Sequence, residues 1–274
     1  MIQDIAPSRL DNSFKNNSIQ PEDTALFFDK EGKLLIHENN GKLSFPKGSD
    51  AEGFETIYLF SIDDTRYFLV TDKEAHIKND FNYRSVRDLR KTGSGPEIYA
   101  VFTAYHLWKW YADNTFCGKC GHKLSFDDKE RALRCKDCGN IIYPRINPAV
   151  IVGVTKGDCL LVTKYRQGYG GNALVAGFTE IGETLEETVA REVMEETGIK
   201  VRNIRYYKSQ PWGMAQDILA GFYCDAEGNA EIHMDKDELR YAEWVQRNAI
   251  VLQENNLSLT NEMMKVFKEN RIKF

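Results

Sequence analysis

Three glutamates, Glu192, Glu195 and Glu196, stand at i, i+3 and i+4. On a helix that spacing puts them on one face, with β-carbons roughly 5–6 Å apart. Like charges placed this way repel by about 0.2–0.5 kcal/mol per exposed pair. A helix that needed only solubility would more often alternate Glu with Lys. Two readings follow: a solvated acidic face, or a cage of oxygen ligands for a hard divalent cation. A second cluster offers softer chemistry. Cys117, Cys120, Cys135 and Cys138 form C-x2-C, fourteen residues, then C-x2-C. Two such knuckles can aim four thiolates at one Zn²⁺, a closed and therefore structural site. Gly118, Gly121 and Gly139 supply the turns. Two disulfides are the competing arrangement, disfavoured inside a cell. Cys159 and Cys224 lie alone in apolar runs and read as buried small hydrophobes.

The glutamates need a helix, and the sequence writes one. Thr184 with Glu187 three residues on is a capping box, so a helix starts there. Gly198 sits where a left-handed stop belongs. Leu185, Val189 and Val193 recur every four residues and give the buried stripe. Gly177, Glu183, Arg191, Glu192, Glu195, Glu196 and Gly198 fit G-x5-E-x7-R-E-U-x-E-E-x-G-U at every fixed position, with Val193 and Ile199 in the apolar slots. Seven fixed letters match by chance about once in 10⁸ windows. The stretch resembles the Nudix box, whose family hydrolyses nucleoside diphosphates linked to another group. The chemistry suits it, because Mg²⁺ or Mn²⁺ neutralises and orients a diphosphate that would otherwise repel water. Glu192, Glu195 and Glu196 are the expected ligands and catalytic carboxylates; Glu195 or Glu196 is the candidate base. Arg191 is expected to pair with Glu183 and hold the loop after Gly177, a structural task.

The whole chain has 274 residues, 42% of them hydrophobic, and a formal net charge of −5. It is long enough for two domains and carries no global basic field for nucleic acid. The opening MIQDIAPSRLDNSF has no apolar core or basic leader, and the longest apolar run, near 149–154, is too short for a membrane. The expectation is a soluble, cytoplasmic protein. Short alternating runs at 24–28, 33–36, 42–45, 56–62 and 66–71 read as strands. A short helix is expected at 85–90 and a longer one from Pro96. The second carries Ile98, Val101, Phe102, Tyr105 and Trp108 on one face, which suits core packing or a dimer partner. After the ribbon, strands are expected at 149–154, 159–164, 174–176, 201–209, 218–225, 232–234 and 241–245, and a basic-ended helix in the tail, with Lys265, Lys268, Arg271 and Lys273.

A four-Cys ribbon just before a Nudix domain resembles the NADH pyrophosphatase family. So do SQPW at 209–212, RLDNSF near the start and IIYPR after the ribbon. The resemblance implies an α/β chain: an α+β accessory domain (1–112), the zinc ribbon (113–143), and a Nudix α/β/α sandwich with a mixed sheet (144–274). It implies Mg²⁺- or Mn²⁺-dependent hydrolysis of the diphosphate of NADH or NAD⁺ to nicotinamide mononucleotide and AMP, a structural Zn²⁺, and a homodimer. It implies Glu238 as a further metal carboxylate, Phe178 as a base-stacking ring, Tyr143 as a closing tyrosine, and Gln210 at the substrate. The alternatives are ADP-ribose, a dinucleoside polyphosphate or NAD-capped RNA. One departure bears on the choice: where the family continues SQPW with P-F-P-x-S, this chain has Gly213, Met214, Ala215, Gln216 and Asp217. An acid then lies where a neutral hydroxyl would meet a ligand, so a shifted or broader substrate range is expected. A silent, nucleic-acid-reading version would need a broken box and a basic patch. The box is intact, and the ribbon mixes Lys119, Lys123, Lys129, Arg131, Arg134 and Lys136 with Asp127, Asp128, Glu130 and Asp137.

Overall fold

The computed structural model describes all residues except 40, 72–79, 92–94, 168–169 and 273–274. The expected Lys273 cation lies outside the described residues. The chain divides into two compact units: Gln3–Arg145 with Gly213–Gln216, and Met1–Ile2 with Ile146–Trp212 and Asp217–Phe274.

The first unit holds β1 (Leu10–Asp11), β2 (Thr24–Phe27), β3 (Lys33–Asn39), β4 (Lys42–Ser44), β5 (Thr56–Ile62), β6 (Thr65–Val70), β7 (Asn82–Ser85), α1 (Val86–Leu89) and α2 (Pro96–Asp113). Its sheets run β1-β5-β6-β2 and β4-β3-β7. Pro96 opens α2 at a position whose N–H would have no helical partner. The aromatic face of α2 is used inside the unit: Trp108 stacks on Phe28 with centroids 5.1 Å apart, and Tyr105 tilts against the same ring at 6.2 Å. Gly32, at φ +80°, makes room; a Cβ there would sit 2.7 Å from the Trp108 ring. The ribbon adds β8 (Ser125–Phe126), β9 (Leu133–Arg134) and β10 (Ile141–Ile142), an antiparallel sheet over a core of Trp110, Cys117, Leu124, Leu133 and Cys135.

The second unit is built on β11 (Asn147–Lys156), β12 (Cys159–Tyr165), β13 (Val175–Phe178), β14 (Val201–Trp212), β15 (Asp217–Ala226) and β16 (Leu239–Gln246), with α3 (Leu185–Thr197) and α4 (Leu259–Lys268). Strand order is β14-β15-β11-β12-β16, with β13 also paired to β11. Among the described residues only β11 and β15 pair in parallel within this sheet, which makes it mixed. Alternation along β11 divides its side chains between two layers. Val150, Val152 and Val154 pack with Val189 and Val193 of α3. Ile151 packs with Leu259, Met263 and Phe267 of α4. An α/β/α sandwich results, as expected.

One expected strand is absent. Residues 232–234 are irregular because their backbone donors serve the end of α3. His233 N donates to Thr197 O at 2.8 Å and Asp235 N to Glu196 O at 2.9 Å. Those carbonyls belong to the last turn of α3 and have no partner within the helix. Among the described residues no helix is long and apolar enough to cross a membrane.

Candidate active site and metal centres

The cysteines meet as their spacing requires. Gly121 N donates to Cys117 O and Gly139 N to Cys135 O, closing two knuckles whose glycines take φ +78° and +72°. The Cys117 and Cys138 sulfurs are 3.7 Å apart, and those of Cys120 and Cys135 3.4 Å. All four cysteines are free thiols, which removes the disulfide reading. Their sulfurs lie within 4.8 Å of one another. Four sulfurs at 2.3 Å around a tetrahedral Zn²⁺ would stand about 3.8 Å apart. The quartet fits that ion. The Lys119 backbone N–H draws the Cys117 thiol down to about 6, while the neighbouring sulfurs push the Cys120 thiol up to about 12, so without a cation the quartet does not give up all its protons.

The second constellation is organised by α3. The reciprocal cap is formed: Thr184 Oγ1 accepts from Glu187 N, and Glu187 accepts from Thr184 N at 2.8 Å. Gly198 closes the helix at φ +70°. Arg191 grips Glu183 with two nitrogens at 2.6 and 2.9 Å and the Phe178 carbonyl at 2.9 Å. The Glu183 carboxyl is held down to about 2 by that guanidinium. Arg191 also reaches the acidic face, touching Glu192 at 2.8 Å and Glu195 at 3.0 Å. The loop, the helix and the carboxylates are thus tied at one cation.

The three glutamates differ in surroundings. Glu195 is exposed. Glu192 is half-buried, and burial raises its carboxyl. Glu196 has no exposed surface, and burial pushes it up to about 8. The charges of Glu238 and Glu192 add to the rise, whereas a hydrogen bond from Tyr165 opposes it. Glu238 also acts on Glu192, so four carboxylates share one field. A divalent cation would reverse the sign of each of these penalties. The donor set, all hard oxygens, fits Mg²⁺ or Mn²⁺. The glutamate oxygens stand wider than the sulfurs; among the described residues only the cysteines bring three or more ligand atoms within 4.8 Å. Gly177 allows a close approach: a Cβ there would lie 2.0 Å from the Glu192 carboxyl carbon.

Sequence reasoning missed Tyr165. Its hydroxyl donates to Glu196 Oε1 at 2.9 Å and accepts from Ala176 N at 2.9 Å. The signal was strand alternation, which puts Tyr165 in phase with Leu161 on the side that α3 covers. Phe178 is 53% exposed and borders a cleft of about 310 Å³ with Asn147, Pro148 and Thr179. Tyr143, in the first unit, is exposed and donates to Glu130 at 3.0 Å. Gln210 was expected at the substrate. It is fully buried, its Nε2 donates to Leu257 O at 2.8 Å, and its Oε1 accepts from Leu259 N at 2.7 Å. Its amide anchors the start of α4.

Residues 112–143 match the NADH pyrophosphatase zinc ribbon domain, and residues 144–267 the NUDIX domain. A NAD-capped RNA hydrolase NudC of Haemophilus influenzae is 33% identical over 232 residues, covering 82% of this chain and 86% of the relative. The chain belongs to the NADH pyrophosphatase family of Nudix hydrolases. The Pasteurella multocida NudC is 32% identical over 240 residues, covering 85% of this chain and 88% of its own. The Klebsiella pneumoniae NudC reaches 44% identity over 140 residues, half of this chain and 54% of its own. A Nudix hydrolase structure from Nitrosomonas europaea superposes with a TM-score of 0.51 at 22% identity, covering 57% of this chain and 92% of that one. Membership makes this enzyme a diphosphatase acting on NAD-type diphosphates, and makes the ribbon quartet its structural zinc site.

Proposed function

We propose that this Nudix enzyme hydrolyses the diphosphate of NADH and NAD⁺, adding water to give nicotinamide mononucleotide and AMP. The observation that carries the reading is the Gly177–Glu192 contact. It brings the acidic face of α3 against the strand that ends in the exposed Phe178 ring. A dinucleotide needs that pairing, with carboxylates at its bridge and an aromatic plate at one base. Stacking on such a plate contributes about 1–3 kcal/mol. Glu192, Glu195, Glu196 and Glu238 would hold Mg²⁺ or Mn²⁺. The cation, when bound, neutralises the diphosphate and acidifies a water. Arg191 keeps Glu192 and Glu195 apart from free rotation and fixes the loop through Glu183. Tyr165 fixes Glu196. Exposed Glu195 is open to solvent and is the better placed of the two candidates to take a proton from water. Tyr143 is assigned to closing over the substrate, in a homodimer, on the family resemblance.

The relatives' printed names favour a second substrate of the same chemistry, an RNA carrying a 5′ NAD cap. Incubation with NADH, and with NAD-capped RNA, in Mg²⁺ and in Mn²⁺ tests both. AMP, or a 5′-monophosphate RNA, is the expected product. Glu195→Gln and Glu196→Gln should each lower kcat by at least 10²-fold. No AMP with either metal, or full activity in both variants, would overturn the proposal.

A further inference from the structure

The four ribbon cysteines are not equally protected. Cys117 and Cys135 are 2% and 1% exposed, Cys138 is half-buried, and Cys120 is exposed. The turn around Cys120 is uncovered as well: a Cβ on Gly118 or on Gly121 would meet nothing within 4 Å. A thiol that coordinates Zn²⁺ is deprotonated outright. Oxidants select cysteines by thiolate character and by access, and Cys120 offers the most of both. Its sulfur lies 3.4 Å from that of Cys135, closer than the 3.7 Å between Cys117 and Cys138. An exposed thiolate beside a second one is the arrangement of a redox-sensing cysteine and its resolving partner.

Cys135 is also tied to the rest of its unit. It follows β9 directly and shares a core with Trp110 and Leu133. Four residues before it, in the β8–β9 hairpin, Arg131 fastens the ribbon to the N-terminal strands. Its Nη1 donates to Asn12 Oδ1 at 2.8 Å, and its Nη2 donates to Leu59 O in β5. Asn16 Nδ2 reaches Asp128 O of the same hairpin at 3.4 Å. Asn12 belongs to the RLDNSF stretch, which the diphosphate chemistry does not use. All of these contacts lie within the first compact unit. A displacement of Cys135 therefore pulls on an aromatic core and on this clasp together.

We propose that the ribbon is a peroxide-sensitive thiol switch, in which Cys120 is oxidised, Cys135 resolves it, zinc leaves and the Arg131 clasp opens. The Cys120 thiolate attacks hydrogen peroxide. An S–O bond forms, the O–O bond breaks, hydroxide leaves, and the sulfur becomes a sulfenic acid. The Cys135 thiolate then attacks that sulfur. The S–S bond forms, the S–O bond breaks, and a second hydroxide leaves. Two thiolates and one peroxide thus give one disulfide and two hydroxides, the peroxide taking both electrons. Two of four ligands are consumed, and the closed site that retains Zn²⁺ is lost. Sulfurs that zinc would hold about 3.8 Å apart must close to about 2.05 Å. The energy of zinc binding is folding energy, so the first unit loosens when the ion goes. The switch does not depend on which diphosphate the enzyme cleaves.

The test treats the zinc-loaded enzyme with hydrogen peroxide in the absence of substrate. A chromogenic chelator follows zinc release, peptide mass spectrometry maps the cysteines, and hydrogen exchange is read across the first unit. Zinc should leave as a Cys120–Cys135 disulfide forms, and exchange should rise in 125–142 and in 9–16 together. Dithiothreitol with Zn²⁺ should reverse all three changes. Cys120→His keeps a three-cysteine, one-histidine site that Zn²⁺ accepts and removes the exposed thiolate, so its zinc release should be slower by about tenfold or more. Equal release rates in Cys120→His and wild type, or a first disulfide between Cys117 and Cys138, overturns the proposal. So does exchange that rises in 125–142 while 9–16 stays protected, because the clasp would then not respond. If Cys120→His does not hold zinc, trapping of sulfenic acid with dimedone on wild type decides. A first adduct on Cys120 supports the switch; a first adduct on any other ribbon cysteine sinks it.

Discussion

Glu196 shows at the scale of one residue what a carboxyl needs before it can carry charge where water cannot reach. A carboxylate with no exposed surface requires donors or a cation. Tyr165 is its side-chain donor, itself held by the Ala176 N–H. Tyr165→Phe keeps the ring and removes the hydroxyl, leaving both neighbours one partner short. Outer-shell changes of this kind cost about 10–100-fold in metal affinity. Mn²⁺ titration followed by electron paramagnetic resonance, without substrate, should show that loss; unchanged affinity would reduce Tyr165 to packing. Asp217, buried at the start of β15 across from Asn147, gives a pH-dependent counterpart. Its folded value, about 7, lies above the ordinary carboxylate value, so folding is unopposed below about pH 4 and loses stability as pH rises toward 7. Three units correspond to roughly 4 kcal/mol as an upper bound. Asp217→Asn should therefore gain stability over wild type between pH 5 and pH 8, measured by urea denaturation. A constant difference across that range would contradict the burial argument. The box glutamates and the cysteines were legible because spacing alone identifies them. Tyr165 and Asn147 were not, since what matters in them is which atom lies across from them in another strand. The surroundings of Gln210 were hidden for the same reason: its strand turns the amide toward α4.

Among the elements, α3 could be read almost to the residue, because its start, stop and buried stripe are all local signals. Thr184→Ala should cost about 1 kcal/mol through the lost cap. The irregular segment at 232–234 could not be read, because its pairing with the end of α3 joins residues more than thirty apart. Gly177 tests whether α3 and β13 act together. A methyl there would meet the flexible end of Glu192, not backbone. Glu192 can swing away, so Gly177→Ala should change stability by less than about 1 kcal/mol while weakening Mn²⁺ binding about tenfold. Melting and metal titration on the same preparation separate the two effects. A large fall in stability with intact metal binding would show that Gly177 serves the fold and not the site.

Over the whole molecule, the two metal chemistries fall in different compact units. The thiolate quartet lies in Gln3–Arg145 and the carboxylates in 146–274. Composition could bound this division but not trace it, since Gly213–Gln216 clusters with the first unit although both of its flanking strands belong to the second. The chemistry predicts that the metals can be removed separately. Structural Zn²⁺ binds with an apparent free energy of about 10–16 kcal/mol, and that energy is folding energy. Mg²⁺ or Mn²⁺ on a few carboxylates binds far more weakly. Brief treatment with a mild chelator should abolish activity and leave the melting curve intact, with full recovery on adding Mn²⁺. Cys135→Ser should act differently. Cys135 packs in the same core as Trp110, so losing the zinc loosens an aromatic core as well as a knuckle. The variant should show an early transition with a red-shifted tryptophan signal, while Mn²⁺ binding in the 146–274 unit, read by resonance below that transition, stays within about twofold of wild type. Loss of Mn²⁺ binding in step with the early transition would mean that the carboxylate site depends on the ribbon, and the two units could no longer be treated as separate.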